Sequence, residues 1–414
     1  MSSTVHIIGA GISGLSAGVR LAAAGRTVRV HEATQQVGGR CRTYYDGATD
    51  LMIDNGNHLL LSGNHHALAY ARQIGNLEGL KGPDEARFDF VDFGTNERWV
   101  LRMNDGRVPF WVFDAKRRVP GTAAADYFGL APLVWAGTDK RIGDAIKCDG
   151  ALYWRLVHPL LLAALNIDPP NGSAGLAGAI IRETLLVGGQ ACRPLIASDG
   201  LSSVLIDPAV RFIRERGGSV DIGHEARSFT FEGNRVNKLS LVDQTIELGP
   251  QDAVVMAVPP RPAVALLPGL TAPNKFCAIV NAHFRFAPPP GTPPIMGIVN
   301  GLIDWLFAFP ERLSVTISGG DYLVDRPREE LAQAIWDDVC KAAGIAAPLP
   351  PWQIVRERRA TFEATPEQHA LRPGARTKWA NLVLAGDWTD TGLPATIEGS
   401  VRSGNRAADL LLKN

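Results

Sequence analysis

Three short stretches of the chain combine residue types that suit binding of a phosphorylated nucleotide. The first is Gly9-Ala10-Gly11-Ile12-Ser13-Gly14. Gly9 permits a tight turn, Gly11 lets the backbone approach a pyrophosphate, and Gly14 allows close helix–strand packing. Ile12 and Ser13 would open the helix, whose positive end attracts an anion. Glu32, followed by Ala33, stands where an acid would bind ribose hydroxyls. The second stretch is Val37-Gly38-Gly39-Arg40. Its glycines let the chain pass close to a nucleotide, and its guanidinium can pair with a pyrophosphate. So near the first motif, it moves the choice from NAD towards FAD. The third is Ala385-Gly386-Asp387. A carboxylate at a strand end suits a sugar-like chain such as ribityl. Thr396-Ile397-Glu398-Gly399 then begins a helix, whose positive end suits the anionic edge of a reduced flavin.

Each stretch alone has a plainer meaning: a glycine turn, a stray arginine, a capped helix. Their setting decides. Val5–Ile8 is a short apolar strand directly before Gly9. Leu15, Val19 and Ala22 recur at helical spacing until Gly25, and Thr27–His31 is a second strand ending at Glu32. This is a βαβ opening. Leu201 to Arg216 reads as one helix and Ser219–Ile222 as a strand. Ala253–Val258 is a buried strand stopped by Pro259-Pro260, and Leu382–Ala385 is the last. A final helix spans about 395–412.

Between these pieces the pattern is mixed, with strands expected at 98–101 and 110–113, then mostly helical from about 141 to 217. Further strands are expected at 295–299, 305–309 and 314–317. A helix from about 326 to 343 would have Asp325 as its cap. The expected fold is α/β, a discontinuous Rossmann-like FAD-binding domain with a mixed α+β substrate domain. The first would take 1–75, 196–270 and 375–414, and the second 76–195 and 271–374.

Composition supports two domains and excludes several classes. The chain has 414 residues, 46% of them hydrophobic and 20% charged, enough for a large core. Lys+Arg and Asp+Glu both number 42, and this balance argues against a nucleic-acid partner. Five scattered cysteines, none at C-x-x-C spacing, suggest neither a disulfide framework nor a metal site. They suit a reducing cytoplasm. No apolar run is long enough to span a bilayer. Only one GxGxxG is present, so no separate NADPH domain is visible and the electron donor stays unnamed.

Taken together, the three motifs resemble those of the flavin amine oxidase and phytoene desaturase superfamily, over nearly the whole chain. Within it, Asp54-Asn55-Gly56-Asn57-His58, the run Pro159–Asn166 and above all Ala385–Gly399 are similar to the hydroxysqualene dehydroxylase family. That resemblance implies a two-domain amine oxidase-like flavoprotein. It would reductively remove the hydroxyl of hydroxysqualene, giving squalene in bacterial squalene and hopanoid synthesis. It implies that Glu32 binds the adenosine ribose, Arg40 lies near the phosphates, and Gly56, between Asn55 and Asn57, lies beside the flavin ring. It implies that the backbone of Ala226 touches adenine, Asp387 holds the ribityl or pyrophosphate, and Ile397-Glu398 meets the pyrimidine edge. No cysteine stands near the C-terminal motif, so non-covalent FAD is expected.

For the proton donor, His58 and Asp304 are the candidates. A histidine that only ties a loop, and an aspartate in a turn, are the plainer alternatives. The competing functions are an oxidative isoprenoid or carotenoid desaturase, an amine oxidase with Trp388 in an aromatic cage, and a non-catalytic prenyl-lipid carrier. Retention of Glu32, Gly38-Gly39-Arg40 and Asp387 argues against the carrier. Phe110–Phe113 beside Lys116, Arg117 and Arg118, with Tyr127–Trp135 following, suits peripheral contact with the inner membrane. Core packing is the alternative.

Overall fold

The computed structural model describes residues 3–413. Its first sheet is parallel and has five strands, in the order Ser219–Ile222, Thr27–Glu32, Thr4–Ile8, Ala253–Met256, Leu382–Leu384. Strands from the start, middle and end of the chain thus meet side by side. Ile7 stands opposite both Val30 and Val255, and Met256 opposite Leu384. Both faces of this sheet are covered, so its strands are nearly continuous apolar runs. One face carries the helices Ile12–Ala23, Asp207–Glu215 and Ile397–Leu412. The first and last of these cross closely: a methyl on Gly404 would lie 2.1 Å from Ser16 Oγ. The other face packs on an antiparallel sheet of Ala226–Glu232, Arg235–Leu241 and Thr245–Glu247, through Val236 and Leu239.

A second sheet has seven strands: Trp352–Phe362, Phe276–Phe284, Arg312–Ile317, Trp305–Phe309, Ile295–Val299, Ala86–Asp92, Arg98–Met103. Its outer face buries Val280, Val315 and Ile317 against Leu331, Ile335 and Trp336 of the helix Arg328–Ala343. Its other face turns inward, towards the first sheet and the helical segments. There the alternation changes, and Asn281, His283, Ser314 and Thr316 replace apolar residues.

Several local expectations are corrected. Phe110–Phe113 is a short 3-10 turn, not a strand, with the Trp111 amide donating to the Asn104 side chain. The helix expected over 201–216 is a π turn at Ser202–Ile206 followed by an α-helix at Asp207–Glu215. Pro208 has no amide to continue the earlier ladder, which accounts for the change. Asp325 does not cap the next helix. Pro327 takes that place, while Asp325 accepts a 2.6 Å bond from Arg358. The strands Phe276–Phe284 and Trp352–Phe362 had no expectation at all. The second carries Arg356, Arg358 and Arg359 along an edge, which hides its alternation.

Candidate active site

The carboxyl ends of the parallel strands carry the predicted motifs, and the fold draws them together. Gly9 leaves the first strand at φ 105° and donates to the His31 carbonyl at 2.8 Å. A methyl on Gly9 would lie 2.7 Å from Ala257 O, and one on Gly14 would lie 2.0 Å from Gly9 O. Those two glycines are needed by the fold itself. Gly11 differs: a methyl there would meet nothing within 4 Å, so open space lies before it. It also stands at the N-cap of the helix Ile12–Ala23 without a side-chain cap, leaving that first turn, with Ile12 and Ser13, to be satisfied from outside.

Gly38 and Gly39 lie against this turn. The Gly38 amide donates to Ala10 O at 2.9 Å, and a methyl on Gly39 would stand 3.4 Å from the Gly11 Cα. Both glycines have positive φ, 99° and 56°. Glu32 closes the cluster. One carboxylate oxygen accepts from the Ala10 amide at 2.8 Å and the other from the amide and hydroxyl of Thr34 at 2.9 Å. Ala33 is exposed beside it. The His224 amide donates to the Glu32 carbonyl at 2.8 Å, which places the start of the Ala226–Glu232 strand next to Glu32.

Arg40 and Asp387, far apart in sequence, form an ion pair at 2.7 Å. Arg40 also donates to the carbonyl of Ala360. Its side chain keeps 40% of its surface accessible, whereas Asp387 keeps 8%. The Gly386 amide donates to Ser403 Oγ at 2.9 Å, fixing the turn that presents Asp387. Thr396 caps the closing helix by accepting from the Gly399 amide at 3.0 Å. Ile397 is buried in its first turn. Glu398 does not point to this end. Its carboxylate accepts from the amides of His66 and Ala67, at 3.1 and 2.8 Å, and so caps the helix His65–Gln73. Nor does Trp388 line an aromatic cage: it is buried and donates to Val258 O at 3.0 Å.

The loop Asn55-Gly56-Asn57 is held from the second sheet. Asn55 reaches Glu357 at 3.4 Å, the Asn57 amide donates to Asn281 Oδ1 at 3.3 Å, and Asn57 Nδ2 donates to the Val315 carbonyl at 3.1 Å and Thr316 Oγ1 at 3.3 Å. Gly56 sits against Asn281: a methyl there would lie 3.1 Å from its Nδ2. Thr316 Oγ1 in turn donates to Asn281 Oδ1 at 2.7 Å. Asn281 and Thr316 were missed by sequence reasoning. The available signal was polar residues at alternate positions, Asn281 and His283 in one strand and Ser314 and Thr316 in the other.

The two candidate acids are not brought into contact. His58 is deeply enclosed but keeps accessible surface. Burial, then the positive charge of Arg40, lowers its pKa to about 4, so its imidazole is neutral at pH 7. Asp304 lies in the bend just before the Trp305–Phe309 strand of the second sheet, its amide donating to the Thr316 carbonyl at 3.2 Å and its Oδ2 accepting from the Ser318 amide at 2.6 Å. Burial raises its pKa to about 7, against the opposing bonds from Ser318. Cys41 is buried, and its thiol is pushed up to about 12.

These residues fit an extended flavin nucleotide. The open space at Gly11, the uncapped helix start, and the accessible surface kept by Arg40 and His58 define a cradle.

The flavin containing amine oxidoreductase family model matches residues 12–412. A hydroxysqualene dehydroxylase of Rhodopseudomonas palustris is 66% identical, covering 100% of this chain and 99% of its own length. The chain belongs to the flavin containing amine oxidoreductase family, in its hydroxysqualene dehydroxylase group. As a family member it is an oxidoreductase that works with a flavin. Another hydroxysqualene dehydroxylase, from Zymomonas mobilis, is 45% identical over 100% of both chains. A 15-cis-phytoene desaturase from an Oncidium hybrid is much more distant, at 23% over 99% of this chain and 78% of its own. Among solved structures, cyclohexylamine oxidase from Brevibacterium oxydans superposes with a TM-score of 0.72 at 17% identity, covering 100% of this chain and 99% of its own. That likeness is one of fold.

Proposed function

We propose that this chain binds FAD non-covalently and, with the flavin reduced, removes the hydroxyl of hydroxysqualene to leave squalene. One observation carries the reading: full-length identity of 66% to a hydroxysqualene dehydroxylase. The desaturase relatives are far more distant, which disfavours the oxidative alternative. Bound and reduced, FAD would supply a hydride.

The chain's own residues do the rest. The backbone at Gly9, Gly11, Ile12, Ser13 and Gly14 receives the pyrophosphate, with Gly38, Gly39 and Arg40 beside it. Glu32 and Ala33 hold the adenosine ribose, and the Ala226 backbone flanks adenine. Gly386 and Asp387 hold the ribityl end. Thr396 and Ile397 present the positive end of the closing helix to the pyrimidine edge. Asn55, Gly56 and Asn57 form the wall beside the ring, pinned by Asn281 and Thr316.

For the proton, Asp304 suits the role better than His58. A carboxyl with a pKa raised to about 7 keeps a proton on many molecules at neutral pH. His58, lowered to about 4, holds none to give. The hydroxyl leaves as water after taking that proton, and the carbon it leaves takes the hydride. Free cysteines at all five positions suit a reducing cytoplasm.

The test is product analysis under nitrogen. Dithionite-reduced enzyme should convert hydroxysqualene to squalene, and oxidised enzyme should not. Turnover only by the oxidised form, giving a ketone or a more unsaturated chain, would overturn the reading.

A further inference from the structure

Among the described residues no helix is long and apolar enough to cross a membrane. One part of the surface is nevertheless strongly apolar. Phe110, Phe113, Phe128 and Trp135 keep between 61% and 80% of their surface exposed, and Val108 and Leu186 are exposed too. Single exposed apolar residues are ordinary, but a group of aromatic ones is not. The fold holds these together. Trp111 stacks edge-on against Tyr127 at 5.1 Å, joining the Phe110–Phe113 turn to the helix Ala124–Phe128. The next helix, Ala131–Trp135, is tied to the helix Ala174–Glu183 by a bond from Arg182 to the Val134 carbonyl at 2.5 Å. Just beyond that helix, Gly188 lies against the Asp105 and Gly106 carbonyls, next to Val108.

The two short helices make little sense as core elements. Ala124–Phe128 buries no residue, and Ala131–Trp135 buries only Leu133. The structure also corrects which aromatic faces outward. Trp111 is 8% exposed and belongs to the core, while its neighbours Phe110 and Phe113 point away from it.

We propose that this surface, comprising the 107–118 loop and the helices Ala124–Phe128 and Ala131–Trp135, docks on an anionic lipid bilayer. Two observations select that occupant. The first is charge. Arg107, Lys116, Arg117 and Arg118 flank the aromatics. Of the nearby acids, Asp105 is paired with Arg193, while Asp114 and Asp126 bond only backbone amides and keep their charge, so the four cations leave a basic surplus. Aromatics ringed by cations suit an interface of acyl chains and anionic headgroups. The second is continuity. Trp111 and Leu133, the buried underside of the patch, belong to the same apolar cluster against which Leu59 and Leu61 pack, directly after His58. The patch is therefore anchored on the same core as the loop that carries His58, and a bilayer is where a triterpene alcohol, which rests on the proposed function, would dissolve.

The test uses full-length holoenzyme and sedimentation with phosphatidylglycerol-containing vesicles in low salt. Wild type should pellet with them and stay in solution with phosphatidylcholine alone. Phe110→Ser with Trp135→Ser should cut the pelleted fraction at least tenfold while FAD content and turnover of detergent-dispersed substrate stay unchanged. Lys116→Glu with Arg117→Glu should act in the same direction. Equal pelleting of wild type and the aromatic double variant would overturn the proposal. So would binding indifferent to lipid charge, or a wild-type dimer, blind to vesicles, that the double variant dissociates. Vesicle binding as stated, with no turnover of hydroxysqualene, would instead remove the proposed reaction and leave the docking surface standing.

Discussion

The two ends of the candidate site are built by different means. At the nucleotide end, backbone does most of the work. Gly9, Gly14 and Gly38 pack main chain on main chain, and Glu32 ties its carboxylate to two amides. At the other end, side chains from separate strands hold one another: Asn57, Asn281 and Thr316 share three bonds, and the Asp304 amide, just before the Trp305–Phe309 strand, donates to the Thr316 carbonyl. The first end is therefore held by contacts of its own main chain. The second depends on polar groups inside a sheet, each of which costs stability if left unpaired.

That contrast can be broken most severely at Gly11. Because a methyl there meets only open space, Gly11→Val should leave the apoprotein's melting temperature within a few degrees of wild type yet abolish FAD binding. Gly14→Val, whose Cβ would lie 2.0 Å from Gly9 O, should instead fail to fold stably. Loss of folding in both, measured by calorimetry, would remove the distinction between cradle and scaffold.

The next effect is on Asp304. Asp304→Asn should lower turnover by about 10²–10⁴-fold, the usual scale for a general acid, with FAD still bound. In wild type only the protonated carboxyl donates, so turnover should fall as pH rises through about 7. A flat profile from pH 6 to 8.5, with an active Asp304→Asn variant, would return Asp304 to a structural turn.

Smaller is the effect of Asp387→Ala. It removes the partner of Arg40 and should weaken FAD by roughly 1–3 kcal/mol, read by titration of the apoprotein. Unchanged affinity would take Asp387 out of the cradle. Asn281→Ala should cost least, about 1 kcal/mol of stability. It should lower turnover more than FAD affinity, because Asn281 orients the loop beside the ring. Equal losses in both would make it a general packing residue.

The same contrast explains what could be read from sequence. Backbone-built sites leave local signatures, since glycine spacing, a strand-ending acid and the Gly-Asp turn are written within a few residues. Even the pairing of Arg40 with Asp387 joins two motifs each visible alone. The Asn281–Thr316–Asn57 network has no such signature, because its members become neighbours only through strand register. The strand with Thr316 was expected at 314–317, but the one with Asn281 was not. Phe276–Phe284 mixes Asn and His into an apolar run, and the polar residues face the site rather than solvent. Glu398 misled for a related reason: it sits in a motif stretch, but its side chain caps another helix.

The most direct test of the central claim follows the hydrogen. Dithionite-reduced enzyme is given hydroxysqualene in deuterated water without oxygen. The hydride of a reduced flavin exchanges with solvent before transfer, so the squalene formed should carry one deuterium at the former carbinol carbon. Squalene without deuterium there, or a reduced enzyme that leaves hydroxysqualene untouched while the oxidised enzyme consumes it, would contradict the account.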